Sequence, residues 1–220
     1  MLRNVLTASA LALVSASALA QTGTIQWNAA QAVSNGQAQY SDGRTSAICA
    51  PGTVNFIANG DTVSVLFQDN SIALGDYTRG GLSTCNIVIP ARIAKGYYIA
   101  QLTQQMYYGV VKTAGAEAKV NLTSFLAGFQ TPDSFGLELY FPRGTAYNIP
   151  SGVKTTSSDW SVSARPRMCR GSGSFPVNYK ARIAISGVKD TVNDALVLNV
   201  DGMDIRFEST VVWAQCNLPQ

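Results

Sequence analysis

The chain predicts an all-β antiparallel sandwich, jelly-roll-like, with about 10–12 strands and two disulfides. Three observations predict it. Gly, Pro, Asn or Asp recurs roughly every 8–12 residues, with β-branched and aromatic runs between. Four cysteines, an even number, stand at Cys49, Cys85, Cys169 and Cys216. Aliphatic and aromatic residues make up 46% of the 220 positions, enough for a core, and charged residues only 13%.

In chain order, residues 1–20 read as a secretory signal. Arg3 supplies the positive charge, Val5 to Val14 a short apolar run, and Ala18-Leu19-Ala20 a small-x-small cleavage site. The run is too short for a membrane anchor, and no later one reaches the ~18 apolar residues of a spanning helix. Cleavage after Ala20 leaves residues 21–220 as a single β-sandwich domain, secreted or periplasmic, since no linker divides it. Residues 28–39 are rich in Ala and Gln but broken by Asn35-Gly36, and read as irregular.

Asn59-Gly60 is a two-residue hairpin turn. Turning there, Phe56 faces Val63 and Val54 faces Val65 on an apolar side, while Asn55 faces Ser64 on the other. Further strands are expected near 84–89, 97–104, 106–113, 117–126, 136–141, 158–164 and 177–186. A second hairpin is expected at Asp201-Gly202, with Leu196 opposite Phe207 and Val197 opposite Arg206, followed by a strand running to Cys216. Its acids, Asp204 and Glu208, fall with Arg206 on the side away from the apolar residues, which reads as a solvated ladder of weak ion pairs.

Four cysteines behind an export signal imply two disulfides. Three pairings are open, and locality favours Cys49–Cys85 with Cys169–Cys216. None of the spacings resembles the CxxC of a zinc site.

The absence of histidine excludes Ser-His-Asp and Cys-His catalysis and histidine-ligated metals. Three Glu and scattered Asp leave little for a two-carboxylate glycosidase. Asp190, Asp194, Asp201 and Asp204 are close in sequence, but calcium needs six to eight converging oxygens and the hairpin register spreads them. No metal and no cofactor is therefore expected. A net charge of +3, without a concentrated basic face, gives no argument for nucleic acid.

Two features point to ligand binding. Tyr97 and Tyr107 tip a polar face with Gln101, Thr103 and Gln105, while Tyr98, Ala100, Leu102, Met106 and Tyr108 form an apolar one interrupted by Gln104. If one strand held both tyrosines they would lie ~33 Å apart, so gripping a ligand would require a long polymer or two paired strands rather than one small sugar. Arg165, Arg167 and Arg170 form the one basic cluster, expected as an exposed loop that could take sulfate, phosphate or an acidic glycan.

The order Ile48-Cys49-Ala50-Pro51-Gly52-Thr53-Val54, a strand, an Asn-Gly-Asp turn, Val65-Leu66-Phe67, Cys85-Asn86-Ile87, Gly96-Tyr97 and a terminal Val212-Trp213-Ala214-Gln215-Cys216 has a counterpart. It resembles a family of small secreted bacterial and fungal proteins classed as a domain of unknown function, over roughly Asp42 to Cys216. Ile48 and Ala50 stand where that family would carry Gly and Pro. The resemblance implies the fold and no catalytic residue.

The expected function is that of a secreted, non-enzymatic β-sandwich acting through its surface on an extracellular polysaccharide or envelope component. The rivals are a carboxylate-dependent polysaccharide hydrolase and a membrane-active, toxin-like module using residues 97–126.

Overall fold

The structure, a computed structural model, describes residues 25–67, 80–127, 136–159, 161–170, 173–191, 193–198 and 206–216. The expected signal at 1–20 and the turn at Asp201-Gly202 lie outside the described residues. The elements are β1 (Ile25–Trp27), β2 (Val33–Tyr40), β3 (Thr45–Ile48), β4 (Val54–Asn59), β5 (Thr62–Phe67), β6 (Gly80–Ile93), β7 (Tyr97–Lys112), β8 (Ala116–Ala127), β9 (Gly136–Phe141), β10 (Tyr147–Asp159), α1 (Ser161–Met168), β11 (Phe175–Lys189), β12 (Leu196–Val197) and β13 (Arg206–Gln215).

Two antiparallel sheets pack face to face. One runs β3-β2-β6-β11-β8-β9, with β1 continuing the line of β2 along β6. The other runs β10-β7-β13-β5-β4, with β12 on β7. The chain crosses repeatedly between the layers, so β6 and β11 are central in one and β7 and β13 in the other. Period-two alternation sends Ile87, Ile89, Tyr179 and Ile183 inward from the first sheet. Leu102, Met106 and Phe207 meet them from the second, and each such side chain contributes about 1.5–3 kcal/mol by burial.

A polar seam interrupts this core. Gln104, fully buried, donates from Nε2 to Ser124 Oγ at 2.6 Å and to the Tyr179 hydroxyl at 2.9 Å. The Tyr179 hydroxyl is hydrogen-bonded in turn to Ser209 Oγ at 2.6 Å. The seam thus joins β7 and β13 of one sheet to β8 and β11 of the other. Gln104 is the residue that breaks the apolar alternation of β7 in the sequence.

Both disulfides form as locality favoured, Cys49–Cys85 and Cys169–Cys216, with Cα separations of 5.9 and 5.5 Å. The first lies under β2 and β6, and the second ties the end of α1 to the end of β13. Such bonds persist in oxidising compartments, which fits an extracellular protein. Among the described residues no helix is long and apolar enough to cross a membrane.

Several expectations are corrected. The first hairpin turns one residue later than expected, at Gly60-Asp61, so Val54 pairs with Phe67 and Phe56 with Val65. Gly60, at φ +57°, takes the first central position, where a Gly-X hairpin turn requires left-handed backbone. The pairing moves by two residues, so every side chain keeps its expected face. The expected irregular stretch 28–39 holds all of β2 but its last residue, Tyr40. There Gly36 is needed for close approach, since a Cβ would collide with the Thr84 carbonyl oxygen and lie 2.9 Å from Ile48 Cγ1.

The segments 97–104 and 106–113 are one strand, β7. A bulge near Ala100 turns Ile99 rather than Ala100 into the core. The second expected hairpin does not form: Leu196 pairs with Lys112, while Phe207 pairs with Met106 and Val65. β12 and β13 run in the same direction along one side of β7, so they cannot face each other. Residues 97–126, the stretch suggested for membrane activity, are divided between the two sheets as β7 and β8.

The expected strand at 158–164 ends at Asp159, and the expected arginine loop is largely the helix α1. Ala164 and Met168, one turn apart, are its buried face. Asp159 Oδ1 accepts the Ser161 N–H at 2.8 Å near the helix start. Pro166 deprives the carbonyl of Val162 of its helical partner, at a residue that is 87% exposed. The ladder resumes with Cys169 N–H donating to the Arg165 carbonyl at 3.0 Å.

One end of the sandwich is held by a buried cation. The Lys112 ammonium donates to the carbonyl oxygens of Thr145 (2.6 Å), Ala116 (2.7 Å) and Thr113 (3.1 Å). It also lies 5.2 Å from the Tyr147 ring centroid. Burial pulls its pKa below the ordinary lysine range, partly offset by Glu117 and Asp194.

Candidate functional site

Three open recesses follow one another along the outer face of the first sheet, tracking β6 from Gly80 to Arg92. The central one, about 480 Å³, is lined by Asn35, Gln37, Gln39, Thr84, Asn86 and Arg182 among others. Toward Gly80 it meets a second of about 560 Å³, sharing Gln39 and Leu82 and bordered by Tyr40 and Lys119. Toward the other end of β6 lies a third of about 710 Å³, with Trp27, Pro90, Arg92 and Asn178 on its walls.

The pleat explains this lining. In β2 the small residues Ser34 and Ala38 turn inward, so Asn35, Gln37 and Gln39 face water. The register aligns Asn35 with Asn86, which pairs with Arg182, itself paired with Thr123. The next outward row is Gln37, Thr84, Ala184 and Asn121. Asn86 Nδ2 donates to Asn35 Oδ1 at 3.4 Å, leaving most donors and acceptors of the two amides open. Behind the row, Gly36 pairs with Cys85, whose disulfide to Cys49 fixes the edge. Ser34 Oγ donates to the Cys49 carbonyl at 2.9 Å and anchors the same corner.

The charges of this face fall into two groups. Lys119 is paired with Glu138 at 2.9 Å, and Glu117 lies 3.8 Å from Arg143, which also holds Asp190 at 2.7 Å. Arg182 and Arg92, both exposed, have no carboxylate within 4.0 Å among the described residues. Lys180 lies 5.8 Å from the Phe125 ring centroid.

The residues singled out in the sequence lie elsewhere. Tyr97 and Tyr107 are ten residues apart on β7, in the second sheet. Tyr107 is engaged within the molecule. Its hydroxyl lies 3.1 Å from Gln105 Oε1 and 3.2 Å from Glu208 Oε2, and the Arg206 guanidinium stacks 4.1 Å from its ring centroid. Glu208, expected in water, is only 23% exposed and also accepts from Ser64 Oγ at 3.1 Å. Arg165 and Arg167 are exposed on α1 and Arg170 follows it. The disulfide and the Cys216 N–H to Gly96 carbonyl bond (2.8 Å) place them near Tyr97 and far from Tyr107.

Of the acids weighed for calcium, Asp194 is a loop clasp, accepting from Thr113 Oγ1 (2.7 Å), Thr191 N (3.0 Å) and Thr191 Oγ1 (3.0 Å). Among the described residues no group of three Asp, Glu or Cys is placed to hold a metal. The signal for the β6 face was present in β2 as Asn35, Gln37 and Gln39 at period two against small inward residues. No protein-family model matches the chain, and no curated protein matches it either.

Proposed function

We propose that the protein is a secreted, non-catalytic binding module that takes an extended extracellular polysaccharide or envelope polymer along β6. The observation that carries this reading is the alignment of three recesses on one sheet face, with Asn35, Gln37, Thr84 and Asn86 on the central one and Gln26, Asn28 and Asn178 on the third. The eleven steps from Gly81 to Arg92 span ~36 Å, longer than a compact ligand and suited to a chain. Amide side chains offer a donor and an acceptor together, which complements neighbouring sugar hydroxyls. Glu117 is the one carboxylate lining these recesses among the described residues, whereas glycoside hydrolysis ordinarily uses two across the bond.

Export through the segment 1–20 belongs to the same proposal, supported by the two disulfides. So does kinship with the secreted domain-of-unknown-function family, inferred from the Cys49 and Cys85 framework. The test is a pull-down of the oxidised protein on a panel of polysaccharides and cell-wall preparations, with release of reducing ends measured on whatever is retained. Retention without release is expected. No retention on any polymer removes the reading, and release of reducing ends converts it to a hydrolase.

A further inference from the structure

We infer that the polymer is an anionic polysaccharide, held by the row of cations Arg182, Lys180 and Arg92 beside the amides of β2 and β6. This rests on the reading of the β6 face as a polymer-binding surface and names the chemistry of what binds there.

The register sets the row. Arg182 pairs with Asn86, Lys180 with Val88, and Arg92 with Pro176 of β11. The three side chains therefore leave the same face of two adjacent strands. Lys180 lies two residues from Arg182, or ~7 Å, and Arg92 another four residues on, or ~14 Å, along one line. The carboxylates on this face, Glu117 and Glu138, are already occupied by Arg143 and Lys119. The row is thus a strip of like charge with no acid beside Arg182 or Arg92 among the described residues. Like charges at this spacing repel mildly, and an anionic chain laid over them relieves that repulsion.

The surroundings select a sugar polymer over a nucleic acid. Asn35, Asn86, Gln37 and Thr84 address hydroxyls as well as anions. Single-stranded nucleic acid calls for successive aromatic platforms along its path, whereas β6 presents no ring between Leu82 and Arg92 and the exposed rings Phe125 and Tyr140 stand apart on β8 and β9.

The test measures binding of the full-length, oxidised protein to four immobilised polymers of similar length: alginate, dextran sulfate, dextran and poly(dT). Alginate or dextran sulfate should be retained at least about tenfold more tightly than dextran, and added salt should weaken retention. Alginate identifies a carboxylate and dextran sulfate alone a sulfate, and either supports the inference. The double variant Arg182→Gln/Lys180→Gln should lose about tenfold in affinity for the acidic polymer, as expected for two exposed ion pairs. Arg165→Gln/Arg170→Gln, which removes the same charge from α1, should not. All four positions are on the surface, and matching unfolding midpoints will show that both variants fold. Equal retention of dextran overturns the charge inference and leaves the surface reading standing. Loss confined to the α1 variant moves the site and overturns both. Tighter retention of poly(dT), or of nothing, also overturns both.

Discussion

The Lys112 ammonium lies 2.6 Å from the carbonyl oxygen of Thr145, 33 residues away in sequence. With the Ala116 carbonyl at 2.7 Å, the contact ties the end of β7 to the turns entering β8 and β10. Substituting Lys112→Met keeps most of the apolar stem but strands these carbonyls without a donor. The expected cost is about 2–4 kcal/mol. Urea unfolding measures it, and a variant as stable as the parent would show that the cage contributes nothing.

The carboxyl of Asp194 is held below its ordinary value of 3.8, first by the Thr113 hydroxyl and then by the Thr191 backbone N–H. The unfolded chain therefore takes up this proton at a higher pH than the folded one. Its stabilisation is complete above the unfolded value and is lost as pH falls through the lower, folded value. In acid titrations followed by urea midpoints, Asp194→Asn should flatten the fall that the parent shows below about pH 4. Superimposable profiles would refute this.

Gly36→Ala introduces a Cβ against the Thr84 carbonyl and Ile48. One of the two contacts is backbone, so β2 must move away from β6. The expected loss is about 1–3 kcal/mol. The same shift splays Asn35 and Gln37 from Thr84 and Asn86, so polymer retention should fall with stability. A variant that binds normally while being destabilised would separate the amide row from the binding surface.

Tyr107→Phe removes a hydroxyl near Gln105 and Glu208 but keeps the ring under Arg206. Stability should drop by about 0.5–1.5 kcal/mol with no change in polymer retention. Lost retention at unchanged stability would place the ligand on the second sheet.

Faces were far more legible in the sequence than partners. Val54, Phe56, Val63 and Val65 declare their inward side by alternation, but alternation is unchanged by a two-residue shift, and Gly60 rather than Asn59 chose the turn. Leu196 and Phe207 are apolar in phase, which suggested a hairpin, yet each finds its partner on other strands. β2 was obscured because Gly36 reads locally as a breaker, while its purpose is a close approach to residues 84 and 85, far away in sequence. The candidate site escaped for the same reason. Asn35, Asn86 and Arg182 come together only through the strand order, which no local pattern carries.

The Gln104–Tyr179–Ser209 seam has a bearing on how the layers find each other. Oily surfaces slide: moving one sheet over the other by two residues would return every apolar side chain to an apolar environment. The seam makes that move costly. Displaced by two residues, Gln104, Ser124, Tyr179 and Ser209 would lose one another inside the core, each forfeiting about 1–3 kcal/mol. Four polar atoms thereby act as a detent between two otherwise greasy plates, setting their relative position to a single notch.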